Sequence, residues 1–269
     1  MATEKPDTPA RRAVVSLKDF EDGMFELDGN VESKNIMVYG DSDAGKTRLA
    51  GTTPGKLLIL AGGPGFNTAY HSGAKAIVRL IPDVATWVSG VEWLESGGWE
   101  RFDWVVIEDL SIMDFKFRLS YAAEAYDANP AKRQHRNLPD KPDYFNTQNL
   151  IRGTVTRLVS LPVNCLFTAH AMRTENEDGD LMVYPGIQGK VNEVSNYVSG
   201  LMTAVGYLGK TRINKGEEKG REVRRVLWQS TTNPKTGVKY FAGDKTGRLP
   251  KYMDNPTMPE VIAAMDGTK

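Results

Sequence analysis

Gly40-Asp-Ser-Asp-Ala-Gly-Lys-Thr47 stands between an aliphatic run over residues 35–39 and a helix-compatible segment, Arg48-Leu-Ala50. It matches the G-x-x-x-x-G-K-[ST] pattern in the strand-loop-helix context that the pattern requires. Because Gly40 and Gly45 tolerate backbone angles that a side chain forbids, the loop can turn its N–H groups inward around a phosphate. The sequence therefore predicts a phosphate-binding loop on an α/β fold.

The loop also predicts the ligands of the site, which are ATP and Mg²⁺. Lys46 is expected to reach the β- and γ-phosphates, and the Thr47 hydroxyl is expected to ligate Mg²⁺. The following helix would add the positive end of its dipole. The residues expected to bind the nucleotide are Gly40, Asp41, Ser42, Asp43, Ala44, Gly45, Lys46, Thr47 and Arg48.

Two adjacent acids, Glu108 and Asp109, follow the apolar run over residues 104–107. Parallel strands gather ligands at their carboxyl ends, so these acids are expected beside the loop. One of them would join Thr47 in holding Mg²⁺ through water, and the other would orient the attacking water. The pattern does not decide which acid has which role, and Asp109 is also suited to capping a helix that begins near Ser111.

A third apolar run, over residues 163–169, ends in His170. A polar side chain at the end of a buried strand would lie at the same edge of the sheet and could sense the γ-phosphate. A His that simply faces solvent at a strand end is an equally good interpretation.

Short aliphatic runs alternate with amphipathic stretches along the chain, which predicts a mainly parallel sheet flanked by helices. Strands are expected over 35–39, 57–60, 76–80, 104–107, 163–169 and 201–207, and helices over 46–52, 83–96, 111–128, 143–160 and 190–197. An Asp-Gly turn within 174–180 predicts a hairpin. Three parts are expected: a mobile N-terminal segment (1–30), a core (31–208) and a small β-rich C-terminal appendage (209–269).

Composition limits the classes of protein that fit. The chain has 269 residues, of which 40% are hydrophobic, so it can bury a core and is not a disordered protein. Its 34 Lys+Arg residues balance 34 Asp+Glu residues, so contact with a polyanion must rely on local basic patches. A single cysteine excludes an intramolecular disulfide. The polar start and the absence of a run of about 20 apolar residues predict a cytoplasmic protein without a membrane span.

Two basic segments are candidate contacts for DNA. Lys132, Arg133, His135 and Arg136 share one loop, and residues 210–225 hold seven bases against three acids. Tyr184 and Trp228 are nearby aromatic residues and are candidates for stacking on bases of a single strand. A solvated surface explains such charge runs equally well.

The loop over 40–47, the acidic strand over 104–109, Phe167-Thr-Ala-His170 and Pro185-Gly-Ile-Gln-Gly-Lys190 together resemble a known family. It is that of the phage-encoded RecA-like P-loop ATPases, which are AAA-domain nucleotide-binding proteins related to single-strand-annealing recombination proteins. The resemblance implies a RecA-like core in which the strand before the loop lies next to the His170 strand, with the Glu108 strand beyond.

The resemblance also implies what the protein does. It implies ATP-driven work on DNA, with single-stranded DNA favoured, in recombination, annealing or replication of phage DNA in the host cytoplasm. It implies a homo-oligomeric ring or filament, in which His170 couples the γ-phosphate to a DNA-facing region over 171–190. Lys245 and Arg248 resemble the residues that reach the nucleotide of a neighbouring subunit and would act on hydrolysis in trans.

One departure from the family keeps other functions open. RecA-type enzymes carry a catalytic Glu after the second strand, whereas Ala61-Gly-Gly-Pro-Gly65 follows it here. Without that Glu, either ATP turnover is slow or Glu108 or Asp109 acts as the catalytic base. The alternatives are a nucleotide-gated interaction protein with little turnover and a metal-dependent nuclease that uses Asp103, Glu108, Asp109 and Asp114. A small-molecule kinase is disfavoured because no arginine-dense lid segment is visible.

Overall fold

The computed structural model describes residues 33–175, 179–189, 193–213 and 216–268. The predicted mobile segment 1–30 lies outside the described residues. The strands are β1 (Asn35–Gly40), β2 (Leu57–Ala61), β3 (Ala76–Leu80), β4 (Trp104–Glu108), β5 (Asn164–Glu175), β6 (Leu181–Pro185), β7 (Ala204–Arg212), β8 (Glu222–Leu227), β9 (Thr231–Thr232), β10 (Lys239–Tyr240), β11 (Gly243–Asp244) and β12 (Tyr252–Asp254). The helices are α1 (Lys46–Ala50), α2 (Asn67–Tyr70), α3 (Val84–Glu95), α4 (Leu110–Ala128), α5 (Lys141–Val159), α6 (Glu193–Leu201) and α7 (Met258–Asp266).

The central sheet has the strand order β12-β8-β7-β1-β5-β4-β2-β3. Strands from β7 to β3 are parallel to one another, whereas β8, β11 and β12 pair antiparallel at the β7 side. The predicted α/β class with a mainly parallel sheet is therefore confirmed, with an antiparallel addition. The expected neighbours are also confirmed, because β1 lies beside β5 and β4 lies beyond it.

Side chains alternate between the two faces of the sheet, as the period of two in a strand requires. Met37 and Tyr39 join the core that packs under α3, α4, α5 and α6. Ile36 and Val38 join the core on the opposite face, under α1 and α7. Both faces of the sheet are thus covered, which explains why its strands read as continuous apolar runs.

The C-terminal segment extends the central sheet. It is β-rich as expected, but β8 pairs with β7 over residues 207–212, so the predicted boundary at residue 208 falls inside a strand. Strand β12 then pairs with β8, and Trp228 and Met258 are fully buried in the second core. The edge of β7 is therefore covered by strand pairing with β8, and not by a separately packed domain.

The predicted hairpin is confirmed and reaches further than expected. Strand β5 continues beyond His170, and its residues Ala171 to Glu175 pair antiparallel with β6. The strand predicted over 201–207 begins only at Ala204, because α6 continues through Leu201. Of the helix predicted over 190–197, residues 190–192 lie outside the described residues. The first predicted helix, 46–52, ends at Ala50.

None of the helices in the described part of the chain has the length and apolar character needed to cross a membrane. The single cysteine, Cys165, is buried in β5.

Gly40 shows how closely the loop strand is packed against β7. A Cβ at this position would lie 2.1 Å from the main-chain oxygen of Leu208, which cannot move without disturbing β7. We predict that Gly40→Ala lowers the free energy of unfolding by about 1–3 kcal/mol. The matched control is Gly90→Ala in α3, where a Cβ meets nothing within 4 Å. That substitution should be neutral or stabilising by up to about 1 kcal/mol. Urea unfolding of both variants checks this, and equal effects would contradict the packing account.

Candidate functional site

The site lies at the carboxyl edge of the central sheet, where β1, β5 and β4 end. Gly40 is in register with His170, which places the start of the loop beside the end of the buried part of β5. On the far side of β5, Ile107 is in register with Phe167, so Glu108 follows at the same level as Thr168. Sheet register therefore brings the loop and both acids to one edge.

The loop has the left-handed backbone that its glycine pattern predicts. Gly45 has φ 105° and precedes α1, and Asp43 also has a positive φ of 63°. A Cβ on Gly45 would lie 2.7 Å from Cδ of Arg224. Glycine is thus required at residue 45 both by the backbone and by the close approach of an arginine from β8.

Lys46 folds back over its own loop. Its Nζ donates to the main-chain oxygens of Gly40 at 3.0 Å and Asp41 at 3.1 Å, and the residue is only 6% exposed. Burial lowers the pKa of Lys46, and the negative charges of Asp109, Glu108 and Asp41 oppose that shift. A buried ammonium held only by carbonyl oxygens is poised to bind an anion.

Glu108 joins three elements through its buried carboxyl group. It accepts hydrogen bonds from the hydroxyls of Thr47, in α1, and Thr168, in β5. Burial raises the pKa of Glu108, while the hydrogen bonds from Thr168 and Thr47 lower it. Carboxylate and hydroxyl oxygens beside a phosphate loop are the hard ligands that Mg²⁺ prefers, so Thr47 and Glu108 fit a magnesium ion.

Asp109 turns away from this pair and caps α4. Its Oδ1 accepts a hydrogen bond from the main-chain N–H of Ser111 at 2.8 Å, so the predicted cap is confirmed. Its Oδ2 lies 3.7 Å from Nε2 of His170. The main-chain N–H of His170 in turn donates to Oγ of Ser111 at 2.9 Å. Asp109 and His170 therefore form a second polar group next to Lys46 and Glu108.

The family comparison agrees with this geometry. A family model described as "AAA domain" matches residues 32–246, most of the chain. The chain belongs to the AAA-domain family. This family consists of nucleotide-binding P-loop ATPases, as the resemblance in the sequence implied. No curated protein sequence matches the chain.

The phosphate loop of this AAA domain contains two acids, and each has a basic partner. Asp41 accepts two hydrogen bonds from the guanidinium of Arg173, at 3.0 and 2.8 Å. Asp43 pairs with Lys210 at 2.5 Å. Hydrogen bonding to Arg173 and to Lys210 lowers the pKa of Asp41 and of Asp43, respectively. Pairing offsets the repulsion that these carboxylates would exert on a polyphosphate.

Lys245 and Arg248 each contact another part of the same chain. The ammonium of Lys245 donates to the main-chain oxygen of Gly200, in α6. The guanidinium of Arg248 donates to the main-chain oxygen of Met265, in α7, at 3.2 Å. Within one copy of the chain, each of these side chains contacts the C-terminal part of a helix.

Five of the eleven bases considered for DNA contact have acidic partners in the described part of the chain. Arg133 pairs with Asp143 and Asp140, and Arg136 pairs with Asp127. In the second segment, Lys210, Arg221 and Arg225 pair with acids, and Lys215 lies outside the described residues.

The two aromatic candidates for base stacking are also engaged. Trp228 is fully buried, so the prediction that it stacks on a base is wrong. The ring of Tyr184 stacks on Phe241 with centroids 5.2 Å apart.

The four acids considered for a nuclease do not form one cluster. Asp103 immediately precedes β4, at the opposite end of that strand from Glu108, and accepts from the main-chain N–H of Lys56. Asp114 pairs with Arg118 in the interior of α4. Among the described residues, no group of three His, Cys, Asp or Glu side chains is arranged to hold a metal ion.

Thr168, Arg173, Lys210 and Arg224 lie at the site, but the sequence did not predict them there; Lys210 and Arg224 were considered only for contact with DNA. Thr168 carries a detectable signal, because it is a polar residue within an apolar strand, two positions before His170. Arg173, Lys210 and Arg224 have no sequence signal that places them at the loop, because the residues they contact there are distant in sequence.

Proposed function

We propose that this AAA domain binds ATP with Mg²⁺ and hydrolyses it at the edge formed by β1, β5 and β4. The proposal rests on one observation, the convergence of Lys46, Thr47 and Glu108. Lys46 is a buried cation on the loop, and Thr47 is hydrogen bonded to the buried Glu108. A triphosphate on the loop would take the Lys46 ammonium from the carbonyl oxygens of Gly40 and Asp41.

Magnesium would be held by the Thr47 hydroxyl and, through water, by Glu108. When bound, such an ion would offset the negative charge that develops on the transferred phosphoryl group. To help bind magnesium, the Glu108 carboxyl must be ionised, and its hydrogen bonds with Thr47 and Thr168 favour the ionised form. Thr168 is therefore a positioning residue for Glu108.

We assign Asp109 to the attacking water and His170 to the γ-phosphate. Both oxygens of Glu108 accept hydrogen bonds from threonine hydroxyls, whereas Asp109 Oδ2 faces His170. Asp109 would orient the water, and His170 would lie beside the γ-phosphate. Because Asp109 also caps α4, we expect slow turnover in the isolated subunit.

The proposal extends to assembly of the protein and to its action on DNA. We propose that the protein acts on DNA, with single-stranded DNA favoured, as a homo-oligomer in recombination, annealing or replication. Support comes from the resemblance and from Arg212 and Lys219, two bases of the 210–225 segment beside the β7–β8 hairpin. In the oligomer, Lys245 and Arg248 would leave their carbonyl partners and offset charge at the nucleotide of the neighbouring subunit.

A nucleotide-gated interaction protein is the second candidate. The glycine-rich turn after β2 favours it, because residues 61–65 provide no acid where RecA-type enzymes carry their base. In that function, nucleotide binding would order the β5–β6 hairpin through the Asp41–Arg173 ion pair, and hydrolysis would be incidental.

We predict that Lys46→Ala weakens ATP binding about 10- to 100-fold, as expected for loss of a charge-assisted hydrogen bond, and abolishes hydrolysis. The matched control is Lys56→Ala, an exposed lysine before β2 at the opposite edge of the sheet. Calorimetric ATP titration and phosphate release check both variants. Unchanged binding and turnover in the Lys46 variant would contradict the proposed site.

We predict that the ATPase rate per subunit rises with protein concentration and rises further with single-stranded DNA. If DNA phosphates are contacted, log affinity should fall with log salt with a slope of about −0.7 for each phosphate. A rate that is independent of both concentration and DNA, with ATP binding intact, would favour the nucleotide-gated function instead.

Arg248→Ala tests action in trans within the same assay. It should reduce hydrolysis while sparing ATP binding, and mixing it with Lys46→Ala should restore part of the activity, because each subunit supplies what the other lacks. Absence of restoration in mixtures that are shown to co-assemble would contradict the trans role.

A further inference from the structure

A groove of about 500 Å³, which we call the C-terminal groove, lies between the β7–β8 hairpin and the β9–β10 hairpin. Strands β7 and β8 form one side of it, and β9, β10 and the turn over residues 233–235 form the other. The described residues that line it include four bases and no acid; the bases are Lys210, Arg212, Arg225 and Lys235. Because the whole chain has as many acids as bases, this groove is a local concentration of positive charge.

Two of the four cations, Arg212 and Lys235, are exposed and form no ion pair with any other described residue. Glu222 lies opposite Arg212 in the register of β7 and β8, but no ion pair joins them. The position of Lys235 is fixed by its turn, because its main-chain N–H donates to Oδ1 of Asn233 at 2.9 Å and Gly237 closes the turn with a bond to the Asn233 oxygen. Cations without acidic partners therefore stand on both sides of the groove.

Two tyrosine rings lie between these cations. Tyr207, from β7, and Tyr240, from β10, are partly exposed, and their ring centroids are 4.5 Å apart. Gly209 makes room for the first ring, because a Cβ there would lie 2.9 Å from Cε1 of Tyr207. Burial raises the pKa of Tyr207 to about 12, so its hydroxyl stays neutral at physiological pH. The groove thus combines positive charge with uncharged aromatic surface.

The side of the groove formed by β9 and β10 is anchored to the sheets on either side of it. Oγ of Ser230 donates to the Ala242 oxygen at 2.8 Å and accepts from the Ala242 N–H at 3.0 Å, which closes the hairpin at its base. The main-chain N–H of Phe241 donates to Val183, in β6, at 3.1 Å. The Tyr39 hydroxyl, from β1, donates to the Phe241 oxygen at 2.5 Å. The groove is therefore formed before any ligand binds.

The chemistry of the groove suits a strand with repeated phosphates and unpaired bases. Arginine and lysine contact phosphate oxygens, and so do the hydroxyl and amide groups that Thr231, Thr232 and Asn233 provide here. Aromatic rings in a positively charged groove provide stacking surfaces for the bases of a single strand. In a duplex the bases are stacked on one another and cannot reach such rings. An acidic peptide would use the cations but not the rings.

We propose that the C-terminal groove binds single-stranded nucleic acid, with Arg212 and Lys235 on its phosphates and a base stacked on Tyr240. The inference rests on the proposed function, which specifies the nucleic acid as DNA, and it names the surface that would contact it. Lys219, exposed in the connection between β7 and β8, would continue the path of the strand. The loop over 132–136 is the less suitable surface, since both of its arginines pair with acids.

Fluorescence anisotropy of a labelled oligothymidylate of about 20 nucleotides, with ATP and Mg²⁺ present and salt varied, tests the charges. The double variant Arg212→Ala/Lys235→Ala should bind about 25-fold more weakly at about 0.1 M salt, and its salt slope should be smaller by about 1.4, as expected for two lost phosphate contacts. The matched control is Lys56→Ala/Lys75→Ala, which removes two exposed lysines at the amino edge of the sheet. The control should bind as the wild type does.

The same titration tests the ring. Tyr240→Leu keeps an apolar side chain but removes the stacking surface, so it should bind the oligonucleotide about tenfold more weakly with an unchanged salt slope. Tyr240→Phe keeps the ring and should bind normally. An unlabelled duplex of the same length should compete less well than the single strand. Circular dichroism and urea unfolding of each variant show that a loss of binding is not a loss of fold.

Three results would overturn this inference while leaving the proposed function intact, provided that the wild type binds the oligonucleotide. They are equal affinities of the Arg212→Ala/Lys235→Ala variant and its control, full affinity in Tyr240→Leu, and equal competition by duplex and single strand. Failure of the proposed function looks different. The wild type would then bind no DNA at any salt concentration, or Lys46→Ala would leave ATP binding unchanged.

Discussion

The buried carboxyl group of Glu108 accepts hydrogen bonds from Thr47 and Thr168, and these two contacts join β4, α1 and β5 at the carboxyl edge of the sheet. A carboxylate in this position is costly to bury without partners. The two hydroxyls provide those partners in the isolated subunit, and a magnesium ion would add charge compensation. Placement of Glu108 depends on sheet register, and its register partner Ala61 in β2 fixes it from the other side. This register brings the loop, the acids and His170 to the same edge of the sheet.

Electrostatic balance at the loop depends on strands that come late in the chain. Asp41 and Asp43 would repel a triphosphate, and Arg173 and Lys210 neutralise them from β5 and β7. Arg224 approaches Gly45 from β8, and its buried Nε has no hydrogen-bond partner among the described residues. Strand β8 thus covers the edge of β7 and also brings a cation to the phosphate loop. This dual use explains why the C-terminal segment is paired into the sheet rather than separate from it.

The local parts of the fold and site were predictable from sequence, whereas the long-range contacts were not. The phosphate loop, the acidic strand end and the β5–β6 hairpin each depend on residues close together in the chain, and their patterns identify them. Arg173 and Lys210 reach their partners across 132 and 167 residues, and no periodicity reports such a contact. Trp228 was misread for a related reason. It follows the basic segment 210–225, which suggests a surface, but its ring lies in the second core.

The central claim is that Glu108 couples magnesium to the nucleotide on the loop. Calorimetric titration of ATP at pH 8, in Mg²⁺ and in EDTA, tests it most directly when the wild type is compared with Glu108→Gln, which keeps the shape and removes the charge. The alkaline pH is chosen because burial raises the pKa of Glu108. The account predicts that Mg²⁺ tightens ATP binding to the wild type and that this gain is largely lost in Glu108→Gln. An equal gain from Mg²⁺ in both proteins would contradict it.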